Sequence, residues 1–135
     1  LREAARRMLS TVRSYDLVGR YGGEEFLLLL SGCDAASIFD RAEHLRRAIA
    51  SGPVKAVEGP LEITISVGAV TSAGLRELDA DAFLRAADQA LYRSKNAGRN
   101  RVEIVGPDEL QALLQNSEKT PRLASTKEEL TASKD

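Results

Sequence analysis

GRYGGEEFLLLL, residues 19–30, decides how the rest of the chain is read. Phe26 to Leu30 are apolar at consecutive positions, the pattern of a central strand covered on both faces. Directly before them stand Gly22, Gly23, Glu24 and Glu25. Two glycines tolerate the positive φ that a two-residue hairpin turn demands. The stretch LVGRYGGEEFLLLLS therefore predicts strand, tight turn, strand. The two carboxylates at its tip cannot be buried unpaired. Something polar must meet them at the strand's edge.

Upstream, Leu1, Ala4, Ala5, Met8, Leu9 and Val12 recur at helical spacing and predict one amphipathic helix. Arg2, Arg6, Arg7 and Arg13 lie off its apolar face, and the first three read as solvated. Downstream, Asp34 is a candidate cap for a helix burying Ile38, Ala42, Leu45 and Ile49. Gly52 and Pro53 stop it. KAVEGPLE reads as a loop. LEITISVGAVT alternates Leu61, Ile63, Ile65, Val67 and Ala69 with Glu62, Thr64, Ser66 and Gly68, the period of a half-buried strand. Asp79 or Asp81 can cap a last long helix carrying Phe83, Leu84, Ala87, Leu91 and Ser94, which Gly98 ends. NRVEIV closes as a short strand. The order α-β-β-α-β-α-β predicts an α/β or α+β sandwich with helices packed on one sheet.

The bulk numbers agree with one soluble domain. The chain has 135 residues, 43% hydrophobic and 29% charged, enough for a real core. Net charge is −1, which argues against a nucleic-acid polymer as partner but leaves room for a small anion held by local basic residues. Cys33 stands alone, so no internal disulfide forms, and it reads as a small core or edge residue. No apolar run approaches the ~20 residues a membrane span needs. The only methionine is Met8, and Leu1 already lies in a helical pattern, so the chain is expected to be a piece of something longer. Residues 1–105 are expected to form the domain. From Gly106 the chain turns polar: DELQALLQ predicts one or two helical turns, and 106–135 reads as a disordered, solvated tail.

The turn has a chemical reading. Gly22 and Gly23 let a ligand approach the backbone closely. Carboxylates at such an edge suit Mg²⁺, which binds through one or two carboxylates plus substrate phosphates. YRSKNAGRN places Lys95 and Arg99 four apart at a helix C-terminus, where two cations can hold a phosphate chain. The plainer readings are a solvated hairpin tip and a helix end matched to its dipole. Together the motifs point to a metal–nucleotide site without naming a reaction.

RYGGEEF resembles the signature of the GGDEF family, the diguanylate cyclases, in its Glu-for-Asp form. RSYD, Arg13 to Asp16, stands five residues before Gly22, the spacing of that family's RxxD inhibitory site. ITISVGAV and ADQALYRSKNAGRN resemble its later strand and its last helix. The matches fall in order over residues 1 to about 105. The resemblance implies a nucleotide-cyclase-like, ferredoxin-like α+β fold and a homodimer that condenses two GTP into cyclic di-GMP and pyrophosphate in the cytoplasm. It implies that Glu24 binds Mg²⁺ (or Mn²⁺) and assists deprotonation of the attacking 3′-hydroxyl, with Glu25 in support. Gly22 and Gly23 would lie against the nucleotide, and Lys95 and Arg99 would hold its terminal phosphates. Arg13 and Asp16 would bind cyclic di-GMP as product and inhibitor. His44 lies near where the family often places an arginine gripping product from a second subunit, and equally fits a solvated helix position.

The family's domain is longer. It begins with a strand carrying a metal-binding aspartate in a DxDxFKxxND-like stretch, followed by a GHxxGD-like stretch that helps read guanine. Neither occurs in residues 1–135. The resemblance therefore implies an incomplete sheet, an exposed edge beside Phe26 to Leu30, weak metal binding, and weak or no turnover by this chain alone. The alternative is a non-catalytic cyclic di-GMP receptor acting through Arg13 and Asp16.

Overall fold

The computed structural model of the chain describes residues 1–75, 77 and 79–118. The elements are α1 (Arg2–Thr11), β1 (Leu17–Gly22), β2 (Glu25–Leu29), α2 (Ala35–Ile49), β3 (Val54–Ala56), β4 (Gly59–Leu61), β5 (Val67–Val70), α3 (Ala80–Asn96), β6 (Val102–Val105) and α4 (Pro107–Glu118). The mixed α/β class expected from the sequence is present.

The expected hairpin forms, with one shift. Gly22 pairs with Glu25, so Gly23 and Glu24 make the turn instead of Gly22 and Gly23. Gly23 takes φ +52°, which glycine adopts without steric cost. β2 is not covered on both faces. It pairs with β1 alone, and its residues are half-buried or exposed. Phe26 and Leu28 turn toward the helices, where they pack on Met8, Leu45 and Ile49. Leu17 and Leu29, opposite one another in the register, face outward.

The single expected sheet is divided. Among the described residues the strands form three two-stranded sheets, β1–β2, β3–β4 and parallel β5–β6. KAVEGPLE, read as a loop, is the β3–β4 hairpin, turned at Val57 and Glu58, with Gly59 at φ +119° opening β4. The long alternating strand is split: Leu61 pairs with Val54 as the end of β4, residues 62–66 join no ladder, and Val67–Val70 pair with Val102–Val105 of β6. Ile63 and Ile65 still pack on the α1–α2 core.

The helices show which sequence patterns translate directly. α2 buries Ile38, Ala42, Leu45 and Ile49 as read. Asp34 caps it, accepting from Ser37 N at 2.8 Å while Ser37 Oγ accepts from Asp34 N at 2.9 Å, a reciprocal capping box. α1 buries only Met8, and Leu1 and Leu9 are exposed, because α2 covers only part of its apolar stripe. Arg7 is not solvated. It donates to the carbonyls of Ile49 at 2.5 Å and Gly52 at 2.9 Å, satisfying open carbonyls at the end of α2.

α3 is capped by Asp79, which accepts from Asp81 N and Ala82 N. Its deepest face is Ala82, Ala86, Ala90 and Ser94; of the expected stripe Phe83, Leu84, Ala87, Leu91 and Ser94, only Ser94 lies on that face, and the rest of the face is one position round. The reason is close approach. A Cβ on Gly68 of β5 would lie 2.2 Å from Leu91 N and 2.3 Å from Ala87 O. Small residues on both elements let strand and helix backbones touch.

The tail needs correction over 107–118. α4 is a full helix whose Leu110 is buried against Ala86, Ala90 and Val105. Its Glu109 pairs with Arg93 of α3. DELQALLQ supplies Leu110, Leu113 and Leu114 at helical spacing, which suffices to dock a short helix onto α3. The rest of the predicted tail, 119–135, lies outside the described residues. Among the described residues no helix is long and apolar enough to cross a membrane.

Candidate functional site

The hairpin tip is built by backbone geometry and one arginine. Arg20 donates from Nε at 3.0 Å and from a terminal nitrogen at 2.7 Å to the Gly23 carbonyl. The pairing register slips between Arg20 and Gly22, leaving Tyr21 as a bulge, a device that re-aims side chains at a strand end. Glu24 follows at the outer corner of the turn, exposed. A Cβ on Gly22 or Gly23 would meet nothing within 4 Å, so the approach to this backbone is open.

Glu25, first residue of β2, is the carboxylate that finds a partner. Its Oε1 accepts from Lys95 Nζ at 3.3 Å. Lys95 lies in the last turn of α3, where positive charge complements the helix dipole. The structure thus brings an expected phosphate-binding lysine to the glutamate turn.

Arg99 reaches its position differently from the sequence reading. It does not share a helix face with Lys95, because α3 ends at Asn96. Gly98, Arg99 and Asn100 run consecutively at φ +117°, +63° and +47°. A non-glycine residue in this region costs on the order of 1 kcal/mol or more, and such strain gathers at functional sites. Arg99 N bonds to Ser94 O at 3.0 Å, and Asn100 Oδ1 accepts from Arg46 of α2 at 2.8 Å. The Arg99 guanidinium is exposed and has no partner among the described residues.

Arg13 and Asp16 sit at the opposite, open end of the hairpin, roughly 15–20 Å from the turn at ~3.3 Å per strand residue. The Asp16 side chain has no exposed area. Its Oδ2 accepts from Arg13 N at 2.8 Å and from Arg41 at 2.5 Å, and its Oδ1 accepts from Ser31 N at 3.0 Å. The Arg41 guanidinium, aided by those backbone donors, holds the carboxyl well below the usual range against the opposing effect of burial. Asp16 is thus bonded within the protein, joining α1, the hairpin and α2. Arg13 points outward, bonded to Tyr15 Oη at 2.8 Å. A cavity of about 270 Å³ beside it is lined by Arg13, Asp40, Arg41 and His44 over Leu28, Leu30 and Leu45. His44 is exposed on α2.

Sequence reasoning missed three arginines. Arg20 braces the turn, Arg41 neutralises Asp16, and Arg46 meets Asn100. Arg20 could have been suspected from its place two residues before the glycines. Arg41 and Arg46 act across 25 and 54 residues, and nothing local announces such contacts.

Among the described residues no three His, Cys, Asp or Glu side chains cluster as a metal cage. One free carboxylate, Glu24, stands at the open turn. That fits Mg²⁺ held by one carboxylate together with a nucleotide's phosphates and water.

A family model described as diguanylate cyclase, GGDEF domain, matches residues 1–101. The response regulator PleD of Caulobacter vibrioides is 38% identical over 104 residues, covering 76% of this chain and 23% of the relative. Among solved structures, the GGDEF domain of DgcB from Caulobacter crescentus in complex with c-di-GMP is similar at 30% identity and TM-score 0.68, covering 76% of this chain and 61% of that one. The active GGEEF domain of a diguanylate cyclase from Vibrio cholerae is similar at 31% identity and TM-score 0.66, covering 77% and 65%. The chain spans about a quarter of the length of the curated relatives it matches.

Proposed function

The chain belongs to the diguanylate cyclase GGDEF-domain family, and on that footing we propose that it forms the later part of a catalytic domain that condenses two GTP into cyclic di-GMP and two pyrophosphates. The observation that carries the proposal is the meeting of the glutamate turn with Lys95 through the 3.3 Å contact to Glu25. An open carboxylate, a bare glycine backbone and a cation share one edge.

Each residue then has a task. Gly22 and Gly23 leave room for the nucleotide at the turn. Lys95 and Arg99 hold the terminal phosphates, Arg99 through a planar fork suited to two oxygens. Glu25 holds Lys95 when no phosphate is present. Glu24 accepts the proton of the attacking 3′-hydroxyl. The 3′-oxygen forms a bond to the α-phosphorus of the second GTP, the bond to the bridging oxygen breaks, and pyrophosphate leaves. Repetition in the other direction closes the ring, which requires a homodimer with its two sites face to face. Mg²⁺ or Mn²⁺ bound at Glu24 and the phosphates would neutralise charge on the α-phosphate and the leaving group.

The receptor alternative draws support from Arg13, exposed beside a cavity. It is weakened by Asp16, whose carboxylate is already occupied. Titration of the full chain with a fluorescent GTP analogue, with and without Mg²⁺, separates the two. The cyclase reading expects Mg²⁺-dependent binding that Glu24→Lys abolishes without lowering the unfolding midpoint, and slow cyclic di-GMP formation detectable by mass spectrometry. Tight cyclic di-GMP binding with no Mg²⁺-dependent GTP binding would overturn it in favour of the receptor.

A further inference from the structure

The strained loop that presents Arg99 is tied to another helix. Arg46 of α2 is mostly buried. Its Nε donates to Glu43 Oε1 and one terminal nitrogen donates to Glu43 Oε2, both at 2.9 Å. Its remaining terminal nitrogen donates to Asn100 Oδ1 at 2.8 Å. One planar guanidinium is therefore fixed on one side by a carboxylate on its own helix and reaches a neighbouring element with the other.

The turn that carries Arg99 and Asn100 is the segment that needs holding, Arg99 more than Asn100, since asparagine tolerates the left-handed region better. Both residues stand at positive φ, directly after Gly98. Such a conformation persists only where its surroundings over-determine it. Several ties hold this turn: Ala97 N bonds to Arg93 O, Arg101 O accepts from Ser94 Oγ at 2.7 Å and from Val67 N at 2.9 Å, and Arg101 donates to Ala97 O at 2.9 Å, while two bear directly on Arg99 and Asn100. Arg99 N bonds to Ser94 O at the start of the loop, and Arg46 bonds to Asn100 at its end. The Arg99 side chain between them is held by nothing else among the described residues. Its direction is set by the backbone, and the backbone by those ties.

We propose that Arg46 is a positioning residue for the nucleotide site, acting on Arg99 through Asn100. The proposal rests on the reading of Arg99 as a phosphate-holding residue. Glu43 pre-orients Arg46, so the loop meets a donor already in place and the entropy of ordering it is not drawn from nucleotide binding.

The test is a double-mutant cycle on Mg²⁺·GTP affinity in the full chain, with unfolding midpoints recorded for every variant. Arg46→Gln is expected to weaken binding about fivefold, the scale of one positioning hydrogen bond. Asn100→Gly keeps the left-handed backbone and removes the acceptor, so it should give the same loss. The two together should cost no more than either alone. On an Arg99→Ala background, Arg46→Gln should cost nothing further. Equal loss with and without Arg99 would overturn the proposal, because Arg46 would then act on the ligand directly or on the whole fold. Unchanged affinity in Arg46→Gln would also overturn it. Unchanged affinity in Arg99→Ala would instead show that the reading of Arg99 itself is wrong, and the proposal would fall with it.

Discussion

Lys95 Nζ lies 3.3 Å from Glu25 Oε1, joining the end of α3 to the first residue of β2 across 70 residues. Both side chains are about 40% exposed, so the pair is worth at most ~1 kcal/mol to the fold. A phosphate offers Lys95 a stronger charge-assisted partner. Lys95→Ala is therefore expected to lower unfolding free energy by less than about 1 kcal/mol, yet weaken Mg²⁺·GTP binding by roughly tenfold or more. Urea denaturation and nucleotide titration on the same variant check both halves. A stability loss of several kcal/mol would make Lys95 structural instead.

Acid should reveal a second pair of contacts. Arg6, and after it Arg7, holds the Glu3 carboxyl down from 4.5 to about 2, and Arg41 likewise holds the Asp16 carboxyl well below its ordinary value. Depressed carboxyls bind protons more readily in the unfolded chain, so stability rises with pH across this range. The contributions are complete above pH 4.5 for Glu3 and 3.8 for Asp16. They drain as pH falls toward the folded-state values. Asp16→Asn should be clearly less stable than the unaltered chain at pH 7, with the gap narrowing steadily below pH 4. Urea midpoints at pH 7, 5 and 3 decide it. An equal gap at pH 7 and pH 3 would mean that the Asp16 charge is not what Arg41 holds.

What was legible in the sequence follows from range. The cap and the buried face of α2 could be read to the residue because both lie within the segment itself, while its end at Ile49 falls three residues before the Gly52 that was read as its stop. The hairpin was legible for the same reason, up to one residue in the turn, where Gly22 and Gly23 were equally able to take the positive φ. β2 was over-read because an unbroken apolar run signals two covered faces, and a run cannot show that its neighbours are few. The family motifs marked Glu24, Lys95 and Arg99. They could not show that Asp16 is enclosed by Arg41, since that contact depends on how α2 docks on the hairpin. α4 was under-read because Leu110 needs Ala86 and Ala90 beneath it to be a core residue.

The contact of β5 with α3 gives a sharper test of packing. Gly68 has no Cβ, and one placed there would stand 2.2 Å from a backbone nitrogen of α3. Backbone cannot swing aside as a side chain can. Gly68→Ala is expected to destabilise by roughly 2–4 kcal/mol through overpacking, whereas Gly106→Ala, with nothing within 4 Å of its added carbon, should stay within about 0.5 kcal/mol. Thermal or chemical denaturation of the two variants side by side reads the contrast. Equal stability of both would mean that strand and helix stand further apart than described.

The outward face of the hairpin carries the last expectation. Leu17 and Leu29 are paired across the ladder, 64% and 56% exposed, with Tyr21 at 61% along the same strand. β2 has no hydrogen-bonded neighbour beyond β1 among the described residues. An apolar face beside an open edge invites pairing with a second chain. The chain is therefore expected to associate as concentration rises. Leu29→Lys places a charge on that face, opposite Leu17 at the open end of the hairpin, without touching Phe26 or Leu28, which point to the core. It should raise the concentration needed for association by about tenfold or more, since each buried leucine is worth ~1.5–3 kcal/mol, and leave the unfolding midpoint nearly unchanged. Size-exclusion chromatography with light scattering over a hundredfold dilution range reads the effect. A chain that stays monomeric at the highest concentration would show that this edge is closed by its own twist and side chains.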